Sequence, residues 1–209
     1  MIELINISKS FENKKIFDNF SLHIEDNEMV AITGPSGSGK TTLLNIIGLL
    51  ESFDSGNIII DGQKNIYPNT TISNKIIRDK ICYLFQNFAL VDDETVDYNL
   101  ELALKYRKEN KKEKLILKQN ALKKVGLDGF LKKKIYTLSG GEQQRVSIAR
   151  AILKPNKIIL ADEPTGSLDE SNKLKIIDLL YYLKSTGKTI VIVTHDTYLS
   201  ECCDRTIKI

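Results

Sequence analysis

The eight residues from 34 to 41 constrain the fold of this chain more than any other segment, and their sequence is GPSGSGKT. They match the phosphate-binding loop pattern G-x-x-x-x-G-K-[ST] at every required position. The preceding residues 29–33 are short, apolar and partly β-branched, and they predict a buried strand. The following residues 42–48 predict a helix that ends at a glycine. A strand, a glycine-rich loop and a helix in this order indicate a nucleotide-binding α/β unit.

The chemistry of this loop depends on its residue types. Glycines let the backbone turn several N–H groups inward, and the following helix directs its positive dipole end at the same point. The Lys40 ammonium is expected to reach the β- and γ-phosphates, and the Thr41 hydroxyl is expected to bind Mg²⁺. A glycine-rich turn without a ligand is the alternative, and the strand–loop–helix context disfavours it.

Composition restricts the class of protein only broadly. At 209 residues, 42% hydrophobic and 27% charged, the chain suits one globular domain, with or without a subdomain. A net charge of +3 argues neither for nor against nucleic acid. Three cysteines without a C-x-x-C pair favour reduced thiols over disulfides or zinc. No apolar run approaches the roughly 18 residues of a membrane helix and no signal peptide is evident, so we expect a cytosolic protein.

Apolar segments alternate with helical patterns along most of the chain. Strands are predicted at residues 2–7, 20–24, 29–33, 57–62, 81–85, 158–161, 189–193 and 205–209, and helices at 42–48, within 95–126, at 140–153 and at 170–185. Residues 10–13 are predicted to form a turn, and Leu174, Ile177 and Leu180 or Tyr181 to face inward. The pattern predicts a doubly wound α/β core with antiparallel strands near the start and a helical insert.

A basic region follows the first of these helical patterns. Residues 105–124 contain nine Lys or Arg against two Glu, and residues 132–134 are all Lys. A nucleic-acid or membrane-surface patch is one interpretation. A solvated helical face is the other, and it is the more common origin of such runs.

Two acidic residues follow a predicted strand. Asp162 and Glu163 come directly after the apolar residues 158–161. Because ligands of open α/β sheets bind at the carboxyl ends of the strands, both acids are expected beside the phosphate loop. Asp162 suits a Mg²⁺-associated acid, and Glu163 suits the general base that accepts a proton from the attacking water.

A second anion-binding feature begins at Ser139. The sequence from residue 138 to 145, LSGGEQQR, leads a serine and two glycines into a strongly predicted helix. Such a helix start offers free backbone N–H groups and a hydroxyl. Since one phosphate loop already holds the nucleotide, this feature needs another partner, and a nucleotide held by a second copy of the protein would fit.

In their order along the chain, these segments resemble the nucleotide-binding subunit of ABC transporters, and the likeness covers essentially all 209 residues. Residues 138–142 resemble the ABC signature, which other phosphate-loop families lack, while 34–41 and 158–163 resemble the Walker A and Walker B motifs. The remaining matches are Gln86 to the Q-loop, Ser167, Leu168 and Asp169 to the D-loop, His195 to the switch histidine and Phe11 to the aromatic residue that stacks on adenine. Singly, Phe11 would be assigned to the core and His195 to a structural role.

The resemblance implies a site for ATP and Mg²⁺. The implied ATP-binding residues are Phe11, Gly34, Pro35, Ser36, Gly37, Ser38, Gly39, Lys40, Thr41, Thr42 and Gln86. The implied metal ligands are Thr41, Gln86 and Asp162, and the implied catalytic residues are Glu163, His195 and Lys40. Ser139, Gly140, Gly141 and Glu142 would act on the nucleotide of the opposite protomer, and Asp169 would lie at the dimer interface.

The same resemblance implies a fold and an assembly. The expected fold is a P-loop NTPase of the ABC ATPase type, with a mostly parallel core sheet, an N-terminal antiparallel β-subdomain and a helical subdomain. Residues 1–209 would form one ATP-binding domain, with the helical subdomain at approximately 87–150. The expected assembly is an ATP-dependent homodimer on separate transmembrane permease subunits, at the cytoplasmic face of the cell membrane. No nucleic acid is expected, and membrane contact would come only through the partner.

The sequence defines the transported substrate less closely than it defines the ATPase activity. Residues 43–50 and 138–150 resemble the branch that serves macrolide exporters, lipoprotein-release systems and bacteriocin or antimicrobial-peptide transporters. Residues 91–94, VDDE, are more acidic than is usual in that branch. The alternatives are a soluble ABC ATPase not coupled to transport and a regulatory module that binds ATP but rarely hydrolyses it.

Overall fold

The computed structural model describes residues 1–12, 14–166 and 168–209. In chain order the strands are β1 (Ile2–Phe11), β2 (Lys14–Ile24), β3 (Met29–Thr33), β4 (Ser55–Ile60), β5 (Ile81–Leu84), β6 (Ile158–Asp162), β7 (Thr189–Val193) and β8 (Arg205–Lys208). The helices are α1 (Lys40–Ile47), α2 (Thr71–Asp79), α3 (Val96–Ala103), α4 (Lys111–Lys124), α5 (Gly140–Leu153), α6 (Glu170–Ser185) and α7 (Thr197–Glu201).

The first sheet is antiparallel, with the strand order β2-β1-β4. Ile2 of β1 lies opposite Ile24 of β2 on one side and Ile60 of β4 on the other. The predicted turn at residues 10–13 is shorter than expected, because Ser10 and Phe11 still pair with β2. The end of that turn, Asn13, lies outside the described residues. The predicted N-terminal antiparallel strands are therefore confirmed, with β1 longer than the pattern indicated.

The second sheet is parallel, with the strand order β5-β6-β7-β3-β8. Every residue of β7 is buried, which explains why its sequence shows no polar alternation. The strand order brings the carboxyl ends of β6, β7 and β3 together at one edge. The phosphate loop after β3, the two acids at the end of β6 and the histidine after β7 therefore meet at this edge.

The core lies on both faces of the parallel sheet. Alternate residues of each central strand point to opposite faces, so Val191 belongs to one hydrophobic cluster and Ile190 and Ile192 belong to the other. One cluster joins the sheet to α1 and the antiparallel strands, and the other joins it to α3–α6. The thiols of Cys82, Cys202 and Cys203 are free. Among the described helices, none combines the length and apolarity needed to cross a lipid bilayer.

The strongly periodic helices match the sequence predictions best. Helices α5 and α6 have the predicted bounds, and the region 95–126 contains α3 and α4. The sequence missed α2 because only Ser73 and Ile76 are buried in it, and its capping box pairs Thr70 with a serine instead of a glutamate. It missed α7 because five residues are too few for a periodic pattern.

The prediction of which residues of α6 face inward was partly wrong. Leu174 and Tyr181 are exposed, although Ile177 and Leu180 are buried as predicted. The buried line of this helix passes through Ile176, Leu180 and Leu183, whose spacing of four and three residues follows the helical period. The hydroxyl of Tyr181 instead donates to the carbonyl of Cys202 at 2.7 Å, which keeps its ring at the edge of the helix.

Candidate functional site

A cleft of about 820 Å³ opens at the carboxyl edge of the parallel sheet. Of the residues predicted for the site, those that line it are Phe11, Ser36, Gly37, Gly39, Lys40, Thr41, Thr42, Gln86, Asp162, Glu163 and His195. Side chains from five separate segments of the chain thus converge on one cavity, and four of these segments contribute polar or charged groups. Gly34, Pro35 and Ser38 belong to the same loop but do not form its wall among the described residues.

Lys40 is the first residue of α1, and only 6% of it is exposed. Its Nζ atom donates to the carbonyl oxygens of Gly34 and Pro35, both at 2.9 Å. These bonds hold the ammonium inside the loop. Gly39, at the start of the helix, has no side chain to cap it, so N–H groups of the first turn remain for a ligand.

Two loop positions have no room for a side chain. A Cβ atom on Gly34 would lie 2.2 Å from the carbonyl oxygen of Ile209, and one on Gly39 would lie 2.5 Å from Cγ2 of Ile16. Gly39 also has a φ of +99°, which L side chains rarely adopt. The hydroxyl of Ser38 is buried without a hydrogen-bond partner among the described residues. An unpartnered hydroxyl of this kind costs about 1–3 kcal/mol, and a phosphate oxygen in the loop would supply the partner.

Asp162, the last residue of β6, faces Thr41 across the cleft floor. The Thr41 hydroxyl donates to Oδ1 of Asp162 at 3.4 Å. Burial raises the pKa of Asp162, and the Thr41 hydrogen bond and the Lys40 charge oppose this shift. In the described part of the chain, no cluster of three or more His, Cys, Asp or Glu could hold a metal. A hydroxyl and one carboxylate beside a phosphate loop fit Mg²⁺, which binds few protein ligands and completes its shell with phosphates and water.

Glu163 and His195 form a pair above this floor. The backbone N–H of Glu163 donates to the carbonyl of Val193 at 2.9 Å, and its φ of +47° is left-handed. Its Oε2 atom accepts from the hydroxyl of Thr194 and from the backbone N–H of His195, both at 3.4 Å. Its Oε1 atom lies 3.6 Å from Nε2 of His195. A left-handed non-glycine residue costs roughly 1–2 kcal/mol, and here it accompanies a carboxylate that contacts the turn carrying the histidine.

The signature-like segment stands apart from this cavity. Ser139 caps α5, and its N–H and hydroxyl donate to Oε2 of Glu142 at 2.8 and 3.0 Å. The backbone hydrogen bond from Ser139 is the main reason that the pKa of Glu142 is lowered. Ser139 and Gly140 are exposed, whereas Gly141 is buried against Asn172. Within the described residues, none of the four predicted signature residues lines the cleft of its own chain.

Phe11 lines the cleft, whereas Asp169 lies at the start of α6 and does not belong to the described cleft wall. Asp169 caps α6 and accepts from the backbone and side-chain nitrogens of Asn172 at 2.9 and 2.6 Å, and these bonds lower its pKa. Ser167, also predicted for the D-loop, lies outside the described residues. Phe11 is 43% exposed, so it is not a core residue, and the Lys9 ammonium lies 4.4 Å from its ring centroid.

The sequence interpretation missed several residues of the cavity wall. Ile16, Thr165, Lys173 and Asp196 also line the cleft. Asp196 directly follows the predicted histidine, so its place in the cleft could have been predicted from the sequence. Predicting that Lys173 lines the cleft would require knowing which side of α6 faces the cleft, and the residue pattern does not define that side closely enough.

The parallel sheet, the phosphate loop and the acids at the strand ends together define a P-loop nucleotide-binding protein. Comparison with known proteins narrows this class. Residues 17–166 match the family model described as "ABC transporter". The uncharacterized ABC transporter ATP-binding protein YvrO of Bacillus subtilis is 41% identical over 99% of this chain and 92% of its own length. This chain belongs to the ABC transporter family, and the family resemblance seen in the sequence is confirmed.

Other relatives extend the comparison. The macrolide export ATP-binding/permease protein MacB of Mannheimia succiniciproducens is 40% identical over all of this chain, which spans 33% of that protein. Among solved structures, the dimeric structure of MJ0796, a bacterial ABC transporter cassette, is 41% identical, with a TM-score of 0.90 over 100% of this chain and 94% of its own. A post-hydrolysis dimer of the same cassette, bound to ADP and Pi, also has a TM-score of 0.90. These similarities confirm the predicted fold class.

Proposed function

We propose that this chain hydrolyses ATP to power the movement of a substrate through separate transmembrane permease subunits. The observation that carries the proposal is the convergence of Lys40, Asp162, Glu163 and His195 on one cleft at the edge of the parallel sheet. The name of the relative MacB supports export as the direction. A peptide, a drug or a lipid-like molecule is the substrate class that we infer.

The phosphate loop would bind the triphosphate of ATP. The buried Lys40 ammonium would contact the β- and γ-phosphates, and the free N–H groups at the start of α1 would donate to their oxygens. Thr41 and Asp162 would hold Mg²⁺ together with Gln86, which lines the same cleft. When bound, Mg²⁺ neutralises charge on the β- and γ-phosphates. The exposed ring of Phe11 would stack on adenine.

Glu163 would act as the general base. Its carboxylate accepts the proton of a water whose oxygen forms a bond to the γ-phosphorus, while the bond from that phosphorus to the β-phosphate oxygen breaks. ADP and inorganic phosphate are the products. The His195 imidazole would donate a hydrogen bond to the γ-phosphate. A positioned base of this kind is typically worth ~10²–10⁴ in rate.

The signature segment would complete the site of a second copy. Its exposed helix start carries free N–H groups and a serine hydroxyl but does not line the cleft of its own described chain. In a head-to-tail dimer, Ser139–Gly141 would contact the γ-phosphate of the ATP that the partner holds, with Asp169 at the interface. ATP would join the two copies, and loss of the γ-phosphate would let them separate. The dimers of MJ0796 support this arrangement.

A second groove would receive the permease. It measures about 810 Å³ and runs between α2, β5 and the end of α3, with more apolar than polar lining. Leu50, Leu102 and Tyr106 contribute exposed apolar surface, and 70% of Tyr106 is exposed. The segment 85–89 borders both cavities, since Gln86 lines the cleft and Phe85 and Ala89 line the groove. Docking here would hold the protein at the cytoplasmic face of the membrane through its partner.

We also propose that residues 1–209 act as one ATP-binding domain, with residues 87–150 as a helical subdomain. Helices α3 and α4 pack on α5 in the same hydrophobic cluster, which supports treating this range as a unit.

One labelling experiment tests the arrangement across the dimer. A tagged protomer carries Ser139→Cys and Lys40→Met, so it offers a thiol but cannot hold ATP, with Cys202 and Cys203 replaced by serine. It is mixed with an untagged protomer that has an intact phosphate loop. A thiol-reactive ATP analogue should label the tagged chain only when the untagged chain is present. Equal labelling of the tagged chain alone would contradict a shared site.

A further inference from the structure

An ion pair lies in the same cleft as Glu163 and His195. Nζ of Lys173, on the first turn of α6, lies 3.0 Å from Oδ2 of Asp196, on the turn that follows β7. Both residues line the cleft, and only 22% of the lysine side chain and 15% of the aspartate side chain are exposed. The hydroxyl of Thr165 donates to the same carboxylate oxygen at 3.3 Å. This oxygen is therefore held from two directions.

Asp196 connects this ion pair to the proposed base. Its backbone N–H donates to the hydroxyl of Thr194 at 3.0 Å, and that hydroxyl donates to Oε2 of Glu163 at 3.4 Å. Its other carboxylate oxygen, Oδ1, caps α7 by accepting from the N–H groups of Tyr198 and Leu199 at 3.0 and 3.3 Å. The turn that carries the histidine is thus fixed to α7 by one oxygen and to α6 by the other.

Lys173 extends from a well-anchored turn of helix. Its backbone N–H donates to the carbonyl of Asp169 at 2.9 Å. The neighbouring Asn172 accepts from Nη1 of Arg145 on α5 at 2.6 Å and donates to Asp169 at 2.6 Å. The first turn of α6 is therefore anchored to α5. Because its helix is anchored, Lys173 can hold the turn that carries Asp196 in place.

We propose that Lys173 is a positioning residue for the Glu163–His195 pair and acts through Asp196. This inference rests on the proposed function of the same cleft. The lysine neutralises the Asp196 carboxylate and holds the 194–196 turn against α6, which sets the distance between the imidazole and the Glu163 carboxylate. Because the Lys173 ammonium is occupied by Asp196, it contributes to geometry at the reacting end of the cleft and not to the affinity for ATP.

Kinetics of Lys173→Met test this role. Hydrolysis by the purified protein, alone and with its permease, should show kcat lowered about 10- to 100-fold, the range expected for a small displacement of catalytic groups. The Kd for ATP should stay within roughly twofold, since it depends on the phosphate loop. Lys173→Arg keeps the ion pair and should restore most of kcat. The matched control is Lys175→Met, which removes an exposed lysine from the same helix. Circular dichroism and thermal unfolding establish that each variant is folded.

A double-variant cycle tests the route through Asp196. Asp196→Asn removes the charge but keeps a residue that caps helices well. If Lys173 acts through this carboxylate, the double variant Lys173→Met/Asp196→Asn should be no slower than Asp196→Asn alone. Additive losses would overturn the route, and so would a wild-type kcat in Lys173→Met or an equal loss of ATP affinity and kcat.

Histidine NMR provides a readout that does not depend on hydrolysis. The chain has two histidines, and His23 lies on β2. In Lys173→Met the ring resonances of His195 should shift or broaden, while those of His23 stay in place and Lys175→Met changes neither. If the wild-type protein with its permease shows no turnover, the proposed function fails, and this spectrum alone decides the structural claim. Unchanged His195 resonances would overturn it.

Discussion

The Nε2 atom of His195 lies 3.6 Å from the Oε1 atom of Glu163, although the two residues come from different strand ends. Strands β6 and β7 are neighbours in the parallel sheet, so their carboxyl ends bring the residues together. The left-handed backbone of Glu163 and its hydrogen bonds from Thr194 and His195 then orient the carboxylate. The pair faces the phosphate loop, which makes it the natural place to test the proposed chemistry.

Replacing Glu163 by glutamine should stop turnover while ATP still binds. The amide keeps the size of the side chain but cannot accept a proton from water, so kcat should fall by ~10²–10⁴. Because ATP remains intact, the dimer should accumulate, and size-exclusion chromatography with ATP would detect it. Normal multiple-turnover hydrolysis by this variant would remove Glu163 from its assigned role.

A methyl group at Gly39 should weaken ATP binding. Its Cβ would lie 2.5 Å from Ile16 Cγ2 at a φ of +99°, so the loop or the Ile16 side chain must move. Gly129→Ala is the matched control, because its φ of +79° is also left-handed but nothing lies within 4 Å of the new atom. Calorimetric titration should show an ATP affinity at least about tenfold weaker for Gly39→Ala, a loss of about 1.4 kcal/mol, and unchanged for Gly129→Ala. Equal affinities would mean that the close contact does not shape the site.

Asp162→Asn should stabilise the nucleotide-free protein at neutral pH. Burial raises the pKa of Asp162, so the folded protein binds this proton more tightly than the unfolded chain does. That contribution is complete below the ordinary carboxyl pKa of about 4 and is lost as pH rises through the folded pKa. The variant cannot ionise, so its Tm advantage over the wild-type protein should grow as the pH rises from about 4 to about 7.

The same variant should lose the stabilisation that Mg²⁺ and ATP together give the wild-type protein. Calorimetric melting with and without Mg²⁺ and ATP measures both effects. A Tm below that of the wild-type protein at neutral pH, without ligands, would show that the buried charge is already compensated.

If a permease docks in the second groove as proposed, a charge there should prevent its binding without affecting ATP binding. Leu102→Glu places a carboxylate where the groove is apolar, and Leu115→Glu is the control, since both leucines are 43% exposed but only Leu102 lines the groove. Co-purification with the permease should fail for Leu102→Glu and persist for Leu115→Glu. Equal co-purification would place the docking surface elsewhere.

Much of the candidate site could be predicted from the sequence because its motifs are local. The phosphate loop carries its own glycines and lysine, and α5 begins with its own capping pair, Ser139 and Glu142. Helices with weak apolar periodicity, such as α2, could not be predicted, because burial of two residues leaves almost no pattern.

By itself, then, the sequence determined the family, the order of the strands and of the strongly periodic helices along the chain, and the residues whose chemistry lies within a few positions of one another. Only the tertiary structure decided that the signature segment stands outside the cleft of its own chain and that Lys173 meets Asp196. The physical reason is that such contacts depend on how helices rotate and pack against the sheet. The apolar spacing of α6 predicts which side of the helix is buried only to within about one residue. A rotation of the helix by that amount determines whether Lys173 faces solvent or the cleft.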